Sequence, residues 1–140
     1  SNKVFCVNDE YAEIERWLLC EYAERCGEEE VARLARICQA VKYDSYMWSY
    51  VRLAPQFRVM FLERMASEFE AALSDHTFEL DDLKPWKRVN LESILKDPAA
   101  WAQASERYAT AGRLGRAMHY LKLGGPGLLL AYAKSRSDHE

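Results

Sequence analysis

The chain has little glycine and proline, six and four in 140 residues. That scarcity excludes the all-β classes, whose hairpins need a turn signal about every ten residues. No run of about 18 apolar residues occurs, so no stretch reads as a membrane span, and no membrane partner is expected. The N-terminus has no basic region followed by an apolar one, so no secretory signal is read there, and a cytoplasmic location is expected. The patterns GxxxxGK[ST], GxGxxG and HExxH are all missing, which removes the sequence signatures of phosphate loops, dinucleotide folds and zinc proteases. No cofactor is expected.

Cysteine is sparse and scattered. Cys6, Cys20, Cys26 and Cys38 form no CxxC pair, and His76, His119 and His139 are not spaced with them as ligands. No metal site is therefore expected, and the thiols read as reduced, with three of them inside helices.

Apolar residues make up 49% of the chain and aromatics 12%, ample for a core. Alanine, leucine, glutamate and arginine recur at helical spacing, so the fold class is all-α, a single-domain bundle of about five to seven helices over residues 3–134. Ser1-Asn2 reads as the remnant of a cleaved tag, and residues 135–140 as a frayed tail.

Charge is uneven along the chain. Through Leu83 there are 9 basic and 17 acidic residues, a net −8; from Lys84 onward there are 10 and 5, a net +5. If folding preserves this, one surface is acidic and another basic, which steers charged partners or favours head-to-tail self-association. If antiparallel helices interleave the two halves, the asymmetry cancels.

The clearest helix begins at Pro55, whose ring presets φ and whose missing N–H would go unused at the first position. From there to Ser74, Val59, Phe61, Leu62, Met65, Ala66, Phe69, Ala72 and Leu73 share one face, with Gln56, Glu63, Ser67, Glu70 and Ser74 opposite. Before it, residues 3–7 read as an extended lead-in and Asn8 or Asp9 as the cap of a first helix ending at Gly27. Tyr11, Ile14, Leu18 and Tyr22 line that helix, with Trp17 at the margin. Glu28 to Glu30 open a second helix with the stripe Val31, Leu34, Ile37, Cys38 and Val41. Asp44 or Ser45 is read as the cap of a third, short helix ending near Leu53. Residues 74–87 form the longest irregular stretch, and a short helix spans Asn90 to Leu95. A long helix from Pro98 to about Leu123 is stopped by Gly124-Gly125-Pro126-Gly127, and Leu128 to Ala133 adds a last apolar turn or two.

Three constellations could carry function. In the aromatic run, Tyr43, Tyr46 and Tyr50 share a helical face while Trp48 points elsewhere, so some aromatic surface is expected to stay exposed. Tyr46, Trp48 and Tyr50 with Arg52 are residue types that dominate protein interfaces. Arg58 projects into the apolar face of the helix at Pro55, where its guanidinium needs a carboxylate, carbonyls or a bound anion. Arg107, Arg113, Arg116, His119 and Lys122 make the long C-terminal helix basic without forming one tight stripe. Arg113 and His119 resemble, in their spacing on one helix, the Arg–His motif of HEPN-type ribonucleases, small helical bundles that act as dimers. The resemblance implies a phosphate-orienting arginine and a proton-transferring histidine. Leu114 stands where that family often has a polar residue. A DNA-reading helix-turn-helix is not supported, because the second and third helices lack a turn glycine and the segment around Tyr46 to Val51 is aromatic rather than basic.

The function expected is therefore a non-catalytic, protein-binding helical module of the antagonist, immunity or adaptor type, as in small bacterial or phage proteins. Its acidic surface at Glu28, Glu29 and Glu30 and its exposed aromatics would engage another protein. A homodimer is the second candidate assembly, and the HEPN-like RNA-binding or RNA-cleaving dimer is the alternative function. Nucleic acid is not the expected partner.

Overall fold

The computed structural model describes residues 2–109 and 112–137. Ser1 and residues 138–140 of the expected tail lie outside the described residues. The described chain is all-α, with six helices and one 3-10 turn: α1 (Asn2–Ala23), α2 (Glu28–Tyr50), α3 (Pro55–Ser74), the turn Leu80–Asp82, α4 (Pro85–Lys96), α5 (Pro98–Ala109) and α6 (Gly112–Ser137). These fall into two compact units that divide after Asp82.

The first unit contains α1, α2 and α3. Residues 3–7 are helical rather than extended, and α1 starts ahead of Asn8. Neither glycine nor proline interrupts Lys3 to Asn8, so nothing forces a later start. α2 likewise runs straight through Asp44 and Ser45. An interior aspartate costs only some tenths of a kcal/mol in propensity, and burial of Tyr43, Tyr46 and Tyr50 on that continuous helix outweighs it. The chain breaks at residues 51–54, where Ala54 is extended (φ −62°, ψ 142°) immediately before Pro55.

α3 has the face its periodicity predicts. Phe61, Leu62, Met65, Ala66, Phe69 and Ala72 are buried, and the five residues expected opposite are exposed. The core is an aromatic cluster. Tyr46 lies 5.1 Å from Phe61, and Phe69 meets Tyr43 and Tyr46 at 6.4 Å and Phe78 at 5.4 Å. Edge-on contacts of this kind match the positive ring edge to the negative ring face.

α3 ends without glycine. His76 takes a left-handed φ of 56°, its N–H donates to Leu73 O, and the Thr77 N–H donates to Ala72 O. This is a Schellman closure, which satisfies carbonyls left over at the helix end. The Leu80–Asp82 turn is then pinned to α2: Arg36 forks onto the Asp82 carboxylate at 2.5 and 2.9 Å and reaches Glu79 at 3.3 Å. Residues 74–87 are thereby much more ordered than an irregular loop.

In the second unit α4 begins at Pro85, a full turn before Asn90, because proline occupies the first helical position. Asp97 caps α5, its Oδ1 accepting from the Ala100 N–H at 2.9 Å. The expected single helix from Pro98 to Leu123 is two helices, since Gly112 opens α6 with φ +65°. The break at the glycine run is present inside α6, where Gly124 (φ −147°, ψ 16°) and Gly125 (φ 71°, ψ −169°) leave helical geometry. Gly125 occupies a region essentially closed to side-chain-bearing residues. The segment after it is helical as far as Ser137, so residues 135–137 belong to the last helix. Tyr120 on the first arm stacks on Tyr132 on the second at 4.2 Å, and Trp86 of α4 packs edge-on against both. Leu91, Ile94, Trp101 and Leu128 complete this core.

Candidate interaction surface

Polar contacts in the first unit mark the inner sides of its helices. Tyr11 Oη donates to Cys38 O at 2.8 Å, and Gln39 Nε2 donates to Glu15 Oε1 at 2.9 Å, joining α1 to α2. Lys42 pairs with Glu68 at 2.7 Å, and Arg64 bridges Glu68 at 3.0 Å and Asp9, joining α3 to both. Burial opposes the Glu68 charge, yet the Lys42 ammonium and the Arg64 guanidinium bound to it hold its carboxyl below the ordinary 4.5. Glu15 is pushed up from 4.5, chiefly by burial, and burial also pushes the Tyr11 phenol up to about 12. This junction was not foreseen, although Lys42 stands four residues from both Cys38 and Tyr46 on the buried side of α2. Because its members neutralise one another, its role is to fix the three helices in register.

What the three helices do not cover is more informative. At about 100° per residue, the side of α2 facing neither α1 nor α3 carries Ile37, Val41 and Trp48 within about 40° of one another. Ile37 and Trp48 are 52% and 59% exposed, and Val41 is exposed beside them. Leu34, Ile37, Val41, Asp44, Trp48 and Val51 follow the alternating three- and four-residue spacing of a coiled-coil seam. By the same geometry, the side of α1 turned from both neighbours presents Ile14 and Trp17, the latter 61% exposed. In an antiparallel hairpin these two sides form one face.

The sequence stripes of α1 and α2 were thus broader than the packing that uses them. Ile14, Tyr22, Ile37 and Val41, expected on packed faces, are exposed. A unit of three helices covers one side of the hairpin with α3 and has no fourth helix for the other. Glu10, Glu21, Glu24 and Glu30 border the uncovered face, with Arg33 and Arg52 as cations on the same side.

The other candidate residues are distributed as follows. Tyr46 and Tyr50 are core residues, 1% and 3% exposed, so they offer no surface to a partner. Burial, followed by the nearby Glu68 carboxylate, holds the Tyr46 phenol well above its usual range. Trp48 is outward, as its place on the helix predicts. The Arg52 guanidinium lies 3.6 Å over its ring and donates to Trp48 O at 2.7 Å, so one indole face is already occupied. Glu28, Glu29 and Glu30 are exposed in the first turn of α2. Arg58, read as an anion-binding candidate, is half-buried, its Nε donating to Leu53 O at 3.1 Å with the guanidinium 5.4 Å over the Tyr50 ring.

Arg113 is exposed, whereas His119 is buried edge-on against Trp101 (6.4 Å) and Tyr120 (5.6 Å). Six positions apart on α6, the two point about 120° from each other and are not brought together. Burial holds the imidazole below its ordinary 6.5. The folded chain therefore keeps His119 neutral where the unfolded chain takes a proton, so stability falls as pH drops below 6.5 toward the lower folded value. A second loss follows below 4.5 as Glu68, and then Asp82 held down by Arg36, become protonated. His119→Gln should flatten the slope just below 6.5 and leave the acid limb, a difference readable in urea titrations at stepped pH. An unchanged slope would remove His119 from that account.

Cys38 is buried, Cys26 half-buried, and Cys6 and Cys20 exposed, all as free thiols. Among the described residues no cluster of His, Cys, Asp or Glu is arranged to hold a metal ion, and no helix is long and apolar enough to cross a membrane.

Charge follows the division of the fold. The first unit contains 9 basic and 17 acidic residues, the second 10 and 5, so the net −8 and +5 of the two sequence halves reside on separate bodies. No protein-family model, curated protein or solved structure matches the chain.

Proposed function

We propose that the chain is a protein-binding helical module whose working surface is the acidic-bordered face of the α1–α2 hairpin. The observation that carries this reading is the apolar seam of Ile14, Trp17, Ile37, Val41 and Trp48, left exposed on two helices side by side. Single exposed apolar residues are ordinary, but a contiguous set with a polar border is the composition of an interaction patch. A tryptophan at either end supplies large, rigid contact area of the kind that anchors interfaces. The glutamates around it favour a partner with basic residues at matching positions, and they speed its encounter at low salt.

The test is affinity capture from lysate of the producing cells, comparing wild type with a Trp17→Ala, Ile37→Glu variant. Both positions are exposed, so circular dichroism and the melting temperature should hardly move. Captured proteins should be lost from the variant, and from a chain with Glu28, Glu29 and Glu30 reversed together with Trp48→Ala should be weakened. Equal recovery on all three chains would end this reading of the face.

A further inference from the structure

The second unit carries a stripe that complements this face. On the first arm of α6, Leu114, Met118 and Leu121 recur at the spacing that puts residues on one side of a helix. All three are exposed, Leu114 by 76%. Arg113 borders them on the Leu121 side and Lys122 on the Met118 side, and both are exposed. The stripe spans about 10 Å of helix, the same rise as Leu34 to Val41 on α2. One unit therefore presents an apolar face bordered by glutamates on a body of net −8, and the other an apolar stripe bordered by an arginine and a lysine on a body of net +5.

We propose that the occupant of the α1–α2 face is the α6 stripe of a second copy of this chain. The proposal rests on the reading of that face as an interaction surface, and it names the partner. Leu114, Met118 and Leu121 would lie along the seam between Ile14 and Trp17 of α1 and Ile37 and Val41 of α2, an amphipathic helix seated in a two-helix groove. Arg113 and Lys122 would then meet the glutamates at the border, among them Glu10, Glu21 and Glu24. Pairing the α1–α2 face with the same face of another copy is the weaker arrangement. It would oppose those glutamates to their own kind, and like charges brought together at an interface are costly. Because the two patches differ, the contact is heterologous. It closes into a pair if each copy gives its stripe and receives the other's, and it extends into a chain of copies if the geometry does not close.

A heterologous contact can be tested by complementation between full-length chains. One variant carries Ile37→Glu and Val41→Glu, and so loses the face while keeping the stripe. The other carries Leu114→Glu and Met118→Glu, and so loses the stripe while keeping the face. Light scattering coupled to size exclusion should show wild type assembling with rising concentration, and raising salt toward 1 M, where the Debye length is about 3 Å, should weaken assembly about tenfold in dissociation constant. Each variant alone should be monomeric. An equimolar mixture should yield a one-to-one dimer, since exactly one intact contact can then form.

Charge reversal supplies an independent route should either apolar variant lose its fold. Arg113→Glu with Lys122→Glu should abolish assembly, and a chain with Glu10, Glu21 and Glu24 changed to lysine should restore it on mixing. The proposal is overturned by a wild type that stays monomeric at every concentration, by a single variant that assembles as wild type does, by a mixture that remains monomeric, or by assembly that tightens with salt. In each of these cases, partner capture that still depends on Trp17 and Ile37 would leave the protein-binding reading standing and would assign the face to a foreign protein. Failure of capture alongside intact self-assembly would show the reverse.

Discussion

Phe69→Ala is expected to remove most of the stability of the first unit. The ring is fully buried and touches Tyr43, Tyr46 and Phe78, so it ties α2, α3 and the segment after α3 to one point. Truncation forfeits its transfer free energy and leaves a cavity that surrounding aromatic rings cannot fill without leaving their rotamers. Such changes cost about 3–5 kcal/mol, against a total of roughly 5–15 kcal/mol for a typical domain. With a urea m-value near 2 kcal/mol/M, the midpoint should fall by roughly 2 M. Phe69→Leu keeps most of the volume and should cost about 1.5 kcal/mol or less. Were the alanine variant to unfold at the wild-type midpoint, the ring cluster would not be what holds these helices together.

The second large effect is expected at Tyr120, the corresponding centre of the second unit. Its ring stacks on Tyr132 across the Gly124-Gly125 kink, meets Trp86 and His119 edge-on, and its hydroxyl accepts from Asn90 Nδ2 at 3.3 Å. Tyr120→Ala takes away a ring that touches all three, at about 3–5 kcal/mol, and leaves the buried Asn90 amide without the hydroxyl it donates to. Tyr120→Phe keeps the stacking and loses one long, neutral hydrogen bond, worth about 1 kcal/mol. Calorimetry separates these two cases. Near-ultraviolet circular dichroism should show the alanine variant losing the asymmetric packing of Trp86 and Tyr132, while the phenylalanine variant retains it. Equal losses in the two variants would place the stabilisation in the hydroxyl and not the ring.

The two residues differ in how far the sequence shows them. Phe69 falls in the middle of the α3 face, and the period that predicts this face also predicts its burial, because a helix with one continuous apolar side has a single way to bury it. Tyr120 is not singled out by any pattern in the sequence. Its importance comes from Gly125, whose left-handed φ of 71° turns the chain so that Tyr132 comes back onto it. A glycine run announces a break but not the direction in which the chain leaves, and only that direction produces the stack.

The candidate site divides in the same way. That Trp48 points away from the face shared by Tyr43, Tyr46 and Tyr50 follows from helical geometry alone, whereas the burial of Tyr46 and Tyr50, expected at a partner surface, was decided by packing in the core. Arg58 needed a polar partner on the same grounds, and a loop carbonyl supplies one. The exposure of Ile37 and Val41 could not be read, because their spacing is that of a packed stripe. Nor could the charged junction of Lys42, Arg64 and Glu68, whose members are 22 and more residues apart except for one pair a single turn apart on α3. The meeting of His119 with the Trp101 ring could not be read either, because on the single helix expected from Pro98 to Leu123 the two would stand about 27 Å apart, and only the division into α5 and α6 brings them together.

By itself the sequence determined that the chain is helical, that Pro55 and the Gly124-Gly125 run interrupt it, which side of α3 is buried, and that charge is unequal between its halves. These are local properties: propensity, period and backbone restriction act over a few residues and survive any arrangement of the helices. Only the tertiary structure decided which apolar sides are covered, and it placed the charge boundary at the boundary between two bodies. Coverage depends on how many helices gather and on which side each arrives, and this is set by contacts between residues far apart in the chain. Three helices suffice to bury Phe69 and leave the outer side of the α1–α2 hairpin in water, where an apolar seam bordered by glutamates is available to another surface.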